Sequence, residues 1–329
     1  MSVIQSLRIQ PNFFPDQILE LGIFAKTFRR SRIEEVFDAI AHYGLRCTQW
    51  NWTCVPGFSS LPDVVPAETI RTVRRVAASS GVHIAAISAT FNLIEPVARD
   101  RGLARLPALA EAALLVDCDL LTLCTGTRNS ADMWAYHPDN RTAEAWSEMM
   151  EGLRQAGRIA ARYGVRLAIE PETANVVCDA ASAEQALREL GSQSQHFSIV
   201  LDAANLYKPP IDPRAHPEVI DDALARLEKY VSLAHAKDIA NPAQLTHGNA
   251  GREHYTHTAA GMGVLSYTRY LGALLTTPAV MTAAANGHRL PLILHGLDEE
   301  QVPNSVAFVR QSMEVAVMVL SNQVGFPER

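Results

Sequence analysis

The sequence lacks the features that commit a chain to a membrane, a nucleic acid or an oxidising compartment. Its five cysteines are an odd number, and no close pair has zinc-finger spacing, so we expect reduced, buried thiols. No apolar run is long enough to span a bilayer, and the N-terminus shows no signal-peptide pattern. A formal net charge of −6 without a basic run argues against a nucleic-acid partner. These absences predict a cytoplasmic protein with neither a membrane nor a nucleic acid as partner.

The composition is that of an ordinary globular protein. Of 329 residues, 48% are hydrophobic, which is ample for a large core. The length would allow two domains, but α/β barrels often reach this size as one. No low-complexity tract or shift in composition marks a linker, so we expect a single domain over residues 1–329.

Short apolar runs of strand length alternate with amphipathic stretches of helix length. This alternation predicts an α/β fold, a (β/α)8 TIM barrel with its core at about residues 19–320. An open doubly wound sheet is the alternative, but such sheets often carry a glycine-rich phosphate loop after the first strand, and residues 25–28 read AKTF. The strands are predicted at 19–24, 45–50, 83–88, 120–124, 167–170, 199–202, 231–235 and 291–295.

Helix boundaries follow from capping residues and apolar periodicity. Ser31 with Glu34 is expected to cap the first helix, and Ser182 with Gln185 to open the fifth. Gly81 and Gly164 are expected to end the second and fourth helices. The helices after the first are predicted at 68–80, 103–116, 142–163, from 182, 217–229, 266–275 and 303–320.

Each of the last four predicted strands ends on a residue that can bind a metal. These residues are Glu170, Asp202, His235 and His295. If the strands are parallel, all four side chains emerge at one end of the sheet, and mixed carboxylate and imidazole ligands suit Mn²⁺, Co²⁺, Fe²⁺ or Zn²⁺ better than Ca²⁺. Taken singly, a strand-end glutamate is usually solvated and a histidine is usually a hydrogen-bonded core residue. Four in register favour a metal site.

Four segments resemble the xylose-isomerase-like TIM barrels. They are AIEPE at 168–172, VLD at 200–202, HAKD at 235–238 and GMGVLSY at 261–267. This group contains sugar and sugar-phosphate isomerases and epimerases, inosose dehydratases and endonuclease IV. The resemblance covers residues 19–320 and is strongest at 165–300. Its motifs are specific for the superfamily and weak for the substrate.

The resemblance implies one divalent metal, Mn²⁺ first, with Co²⁺, Mg²⁺, Fe²⁺ or Zn²⁺ as alternatives. It makes Glu170 a ligand and an acid/base group, and Asp202 and His235 further ligands. The chain departs from the family in two places: His295 stands where relatives have a glutamate, and Asn205 where many have a histidine. His295 can bind the metal or act as a base, but not both through one nitrogen.

Weaker candidates surround these ligands. Lys237 could neutralise an enediolate, or could simply pair with Glu172 or Asp238. The predicted catalytic residues are therefore Glu170, His295 and Lys237. The long stretches 126–140 and 239–263 are expected to cover a ligand. The predicted substrate contacts are Trp50, Trp52, His137, Glu172, Asn205, Asp238 and His257.

The implied chemistry begins with a metal-chelated carbonyl and loss of a neighbouring proton to a carboxylate. Return of the proton gives a sugar isomerase or epimerase, which is the leading prediction. Loss of a β-substituent gives a lyase or dehydratase on a keto-sugar, polyol or 3-keto glycoside, which is the alternative. A nuclease and a non-catalytic barrel subunit are lesser hypotheses. The absence of an arginine cluster favours a non-phosphorylated sugar as partner, and the resemblance suggests a homo-oligomer, a dimer or a tetramer.

Overall fold

Eight parallel strands close into a barrel in the computed structural model, which describes residues 15–241 and 255–323. The first strand pairs with both the second and the last, and the remaining neighbours close the ring. The predicted (β/α)8 barrel is therefore confirmed. The barrel strands are β1 Leu19–Phe24, β2 Cys47–Trp50, β3 His83–Ser88, β4 Leu120–Leu123, β5 Arg166–Ile169, β6 Phe197–Asp202, β7 Val231–Ile239 and β9 Leu290–Leu294.

Helices surround the barrel and cover its outer face. The helices are α1 Ile33–His42, α2 Ala67–Ser80, α3 Pro96–Leu115, α4 Ala143–Tyr163, α5 Ala180–Glu189, α6 Glu218–Leu227, α7 Tyr267–Thr276, α8 Pro278–Ala285 and α9 Val302–Gln323. Two elements were not predicted, namely α8 and a short strand, β8 His257–Ala259, which pairs antiparallel with β7. No helix in the described ranges has both the length and the apolarity needed to cross a bilayer.

The helices present one apolar side to the strands, as their periodicity predicts. Helix α1 buries Ile33, Val36, Phe37 and Ile40 at the spacing of one helical face. Strand β6 is buried along its whole length because it faces the barrel interior on one side and helices on the other. This sandwiched core fixes the strands, and with them the side chains at their ends.

Several helix ends differ from the prediction. Helix α3 begins seven residues early because Glu95 accepts hydrogen bonds from the first free amides. The predicted Ser31 cap is wrong, since Arg32 precedes α1 without a side-chain cap. Ser182 does take part in a capping box, but as the partner of Asp179. The predicted glycine ends are confirmed, with Gly81 and Gly164 in the left-handed region.

The register of the strands gathers the predicted ligands at one mouth of the barrel. Asp202 pairs directly with His235 across β6 and β7, and His235 pairs with Ile293 two residues before His295. Glu170 follows the last residue of β5. The carboxyl ends of all these strands therefore open into the same space.

Candidate metal centre

Three of the predicted ligands converge. Glu170, Asp202 and His235 each offer a ligand atom, and these atoms all lie within 4.8 Å of one another. His235 Nδ1 is 3.2 Å from Glu170 Oε1 and 3.4 Å from Asp202 Oδ2. The imidazole and Asp202 are completely buried, whereas Glu170 reaches the cavity at the mouth.

Gln49 orients the imidazole. Its Oε1 lies 2.8 Å from His235 Nε2, and its amide nitrogen donates to Thr122 Oγ1 at 3.3 Å. Nε2–H is then the donor to Gln49, so Nδ1 is the nitrogen that faces the two carboxylates. A hydrogen bond to the far nitrogen is the usual way in which a protein fixes a metal-binding histidine. No sequence pattern marked Gln49, which is one of the polar residues in β2.

Asp202 is held with one oxygen directed into the cluster. Its Oδ1 accepts the Ala204 amide at 2.9 Å. Lys237 Nζ lies 3.0 Å from Oδ2 as an ion pair. The angles at this contact do not suit a hydrogen bond, so the buried Oδ2 has no hydrogen-bond partner in the described structure. Burial opposes ionisation of Asp202, yet the charges of Lys237 and His235 hold its pKa below the usual range.

The cluster carries positive charges that balance its carboxylates. Burial disfavours a charged His235, but Glu170 and Asp202 outweigh it and raise the pKa of the imidazole to about 9. The pKa of Lys237 is likewise raised, since Asp202, Glu172 and Glu170 overcome the cost of burying the ammonium. Two oxygens and one nitrogen facing inward, one oxygen lacking a hydrogen bond, form a donor set that fits a divalent ion.

His295 lies beside this trio in a different arrangement. Its ring stacks on His235 with centroids 4.5 Å apart and planes 10° apart, and on Phe24 at 4.8 Å. An imidazole lone pair lies in the ring plane, so an ion in the plane of His235 lies outside the plane of His295. The stacked geometry does not suit His295 as a ligand of the same ion. Burial, together with the charges of His235 and Lys237, lowers its pKa well below the usual value, and its buried Nδ1 has no hydrogen-bond partner in the described structure.

Asn205, predicted as a substrate contact, is not part of the described cavity wall. The side chain is completely buried, and its Nδ2 donates to Glu170 Oε1 at 2.9 Å and to Glu172 Oε1 at 2.7 Å. Its Oδ1 accepts from Lys237 Nζ at 2.6 Å. Asn205 therefore fixes the two glutamates next to each other. Burial raises the pKa of Glu172 to about 7, with Glu170 and Asp202 adding to the effect, while Lys237 and the Asn205 hydrogen bond oppose it.

Lys237 has a similar supporting place. The residue is buried, is held by Asn205 and Asp202, and is absent from the described cavity wall. Of the ion pairs predicted as the alternative for Lys237, the one with Glu172 is present at 3.9 Å. Glu172, predicted as a substrate contact, lies on the wall of the cavity.

The predicted aromatic platform is misplaced. Trp50 and Trp52 are both 0% exposed. Trp50 stacks on Phe37 of α1 at 5.2 Å, so it points away from the barrel interior while the preceding Gln49 points inward. Alternate residues of a strand face opposite sides, and the sequence does not say which side is which. Trp134, 50% exposed in the loop after β4, is the tryptophan that lines the cavity.

Asp238 and His137 serve as local structural contacts. Both oxygens of Asp238 accept backbone amides, Oδ1 from Ile239 and Leu265 and Oδ2 from Gly261 and Gly263. The residue fastens the glycine turn to β7 and is buried, so the predicted substrate contact is wrong. His137 accepts the amide of Asp139 as a cap and is not part of the described cavity wall.

His257 begins β8, opposite Ile239 of β7. When protonated, its charge contributes to lowering the pKa values of Asp202 and His295, which places it near the centre. The neighbouring His247 and His254 lie outside the described residues.

The cavity above the cluster has a volume of about 280 Å³. Glu170, Glu172 and His295 line it, together with residues from the loops after β1 to β4. Sequence reasoning missed most of the latter, since isolated polar residues in loops carry no periodic signal. The main ones are Lys26, Asn51, Thr53, Thr90, Met133 and Trp134.

A second group with metal-binding residue types lies at the opposite end of the barrel. It consists of Glu20, Cys47 and His83, near the start of β1, β2 and β3. Glu20 already pairs with Arg289 at 2.6 Å and with His83 at 3.3 Å, and burial raises the pKa of the Cys47 thiol well above the usual value. This group is therefore an ion-pair cluster with a protonated thiol.

Comparisons with known proteins agree with the barrel. The superposition on the 3-keto-D-glucoside 4-epimerase from E. coli covers 89% of this chain and 99% of the epimerase, at 15% identity and a TM-score of 0.62. The superposition on the probable 3-DHS dehydratase from Bacillus anthracis covers 91% of this chain and 98% of the dehydratase, at 13% identity and a TM-score of 0.61. The superposition on a xylose isomerase-like TIM barrel protein from Mycobacterium smegmatis in complex with magnesium covers 86% of this chain and 89% of that protein, at 15% identity and a TM-score of 0.56.

At these identities the three structures establish a shared fold and nothing finer. A search of curated proteins finds no match. The model of the family described as xylose isomerase-like TIM barrel matches residues 37–311. Since this match covers well over half of the chain, the chain belongs to the xylose isomerase-like TIM barrel family.

Proposed function

We propose that this chain is a metal-dependent isomerase of a non-phosphorylated keto-sugar that moves a proton along one face of its substrate. The observation that carries the proposal is the placement of the cavity carboxylates. Glu170 and Glu172 both come from the end of β5 and are bridged by Asn205. An epimerase of the two-base kind needs proton carriers on opposite faces, and the position of the second carboxylate is taken by the stacked His295.

Glu170, Asp202 and His235 would hold the divalent ion, with Mn²⁺ as the first candidate; the similar Mycobacterium smegmatis protein was crystallised with magnesium. A bound ion of this kind polarises a carbonyl and its neighbouring hydroxyl, and so acidifies the C–H between them. The chain supplies the remaining parts of the reaction.

Glu170 is placed to act as the base. Its Oε1 faces His235 and Asn205, whereas Oε2 makes no hydrogen bond or ion pair with any residue of the described ranges. Oε2 would take the proton from the carbon next to the carbonyl, and the C–H electron pair forms the double bond of an enediolate. The Glu170 carboxyl, which exchanges its proton with solvent while the enediolate is bound, then returns a proton to the neighbouring carbon, and a proton shift between the two oxygens completes the isomerisation. Asn205 keeps Glu170 in place during both transfers.

A dehydratase is the second candidate. Elimination also begins with proton removal on one face, and the carboxyl group of Glu172 beside Glu170 would protonate a departing hydroxyl. One similar fold belongs to a protein named as a probable 3-DHS dehydratase.

The test is solvent exchange in D₂O with a panel of ketoses and keto-sugars, in the presence of Mn²⁺, Mg²⁺, Co²⁺ or Zn²⁺ and with a chelator control. We expect deuterium at the carbon next to the carbonyl and an aldose–ketose product pair. Glu170→Gln should abolish exchange, while the matched surface change Glu151→Gln should not. Epimers would contradict one-face transfer, dehydrated products would favour the second candidate, and exchange that survives Glu170→Gln would refute the assignment of the base.

A further inference from the structure

A second pocket opens beside the catalytic cavity. It has a volume of about 400 Å³, against about 280 Å³ for the cavity that holds Glu170. Leu61, Thr90 and Met133 line both spaces, so the two lie side by side. Nothing in the proposed proton transfer uses the second pocket. Ligand pockets commonly have volumes of ~300–1,000 Å³, and the two neighbouring spaces together fall within that range.

The walls of this pocket are tied to each other. They come from the loop after β3, the first half of α3 and the loop after β4. Asn92 links the two loops, since its Nδ2 donates to Thr127 O at 2.8 Å and its Oδ1 accepts the Thr127 amide at 3.2 Å. Gly126 stands at a φ of +82°, where a Cβ would lie 2.1 Å from Asn92 Oδ1. The pocket is therefore held open by contacts between its walls.

The charges of the second pocket nearly cancel. Arg105 pairs with Asp63, and Glu95 accepts the Val97 and Ala98 amides at the start of α3. Arg101 makes no hydrogen bond or ion pair with any described residue, so its guanidinium is available to a ligand. One cation beside one carboxylate gives no preference for a phosphate. The lining combines the buried Phe91 with hydroxyl and amide side chains, which suits a neutral hydroxylated group instead.

From these two neighbouring spaces we infer that the substrate has two linked units. The keto-sugar unit occupies the catalytic cavity, and a neutral hydroxylated unit, such as the second ring of a glycoside, occupies the pocket next to α3. The inference rests on the proposed function for the identity of the first unit. The loop that carries Met133 and Trp134 contacts the first unit and, through Asn129 and Ser130, the second.

The experiment measures binding, so it does not depend on turnover. Ligand-observed NMR and calorimetry with Mn²⁺ present compare glucose and fructose with maltose, cellobiose, trehalose and sucrose. Ala98→Trp on α3 places an indole in the second pocket. Ala104→Trp is the matched control, because Ala104 is exposed on the same helix and lines neither space. Ser130→Trp provides the same block from the loop if Ala98→Trp unfolds, as judged by circular dichroism.

We expect at least one disaccharide to bind at least tenfold more tightly than either monosaccharide. Ala98→Trp or Ser130→Trp should remove that advantage, and Ala104→Trp should keep it. Equal binding of both classes, no binding of any disaccharide, or an advantage that survives both blocking variants would overturn the inference. Deuterium exchange with single-unit keto-sugars but no disaccharide advantage would overturn only the second pocket. A disaccharide advantage without exchange in any keto-sugar would contradict the proposed reaction and leave the pocket intact.

Discussion

Replacing Lys237 by methionine removes a buried charge while keeping most of the side-chain volume. The ammonium is 5% exposed and lies 3.0 Å from Asp202 Oδ2 and 3.9 Å from Glu172 Oε1. Removing one partner of a buried ion pair costs about 3–5 kcal/mol, because the other charge is left without compensation. We therefore expect Lys237→Met to lower the free energy of unfolding of the metal-free protein by about that amount.

The same change tests the metal centre. A divalent ion held by Glu170, Asp202 and His235 would supply positive charge to the carboxylates that Lys237 balances. The stability difference between the variant and the wild type should then shrink when Mn²⁺ replaces the chelator. A ligand that binds the folded state alone stabilises it by mass action, and the effect grows with affinity, which we expect to be higher when the Lys237 ammonium no longer competes with the ion.

Urea unfolding followed by circular dichroism, with EDTA and with Mn²⁺, gives both quantities. Lys208→Met is the control, since Lys208 is exposed and a surface change of this kind stays within about 0.5 kcal/mol. An unchanged unfolding midpoint for Lys237→Met in EDTA would refute the buried ion pair. A difference that Mn²⁺ does not reduce would show that the lysine and the ion do not share carboxylates.

Three further changes test single parts of the site. Gln49→Leu should weaken Mn²⁺ binding by about 10–100-fold in calorimetry, because His235 loses the hydrogen bond that orients it; unchanged affinity would refute that role. Trp134→Ala should raise the KM of whichever keto-sugar exchanges its proton and leave the urea midpoint unchanged, whereas Trp50→Ala should cost about 3–5 kcal/mol of stability; the reverse pattern would restore Trp50 as the sugar platform. Asp238→Ala should destabilise the fold by at least about 1–3 kcal/mol, since it strands backbone amides, with metal content by elemental analysis unchanged; metal loss in a fully folded variant would contradict this.

The positions of the candidate ligands were readable from the chain for a simple reason. Each of the apolar runs before Glu170, Asp202 and His235 has the length of a buried strand, and parallel strands in a barrel have their carboxyl ends at one mouth. The eight barrel strands and this convergence follow from their alternation with helices, whereas the short β8 was not predicted. The early start of α3 was missed because its cap, Glu95, precedes any apolar periodicity.

The contacts that determine what each side chain does in the site could not be predicted from the sequence. Gln49 meets His235 across 186 residues of sequence. A shift in register between β2 and β3 at Thr48 and Gln49 helps decide that the glutamine faces inward and the tryptophan outward. A bulge of this kind leaves no mark in the local pattern, so the aromatic residues were assigned to the wrong face.

His295 shows the same division most clearly. The sequence by itself determined that a histidine follows the last strand of the barrel, at its mouth. The tertiary structure alone decided that its ring stacks on His235, because the angle between two rings depends on how β7 and β9 twist past each other. Local pattern thus fixed which residues reach the mouth, and packing between distant strands fixed which of them converge, which orient a neighbour and which pack against another ring.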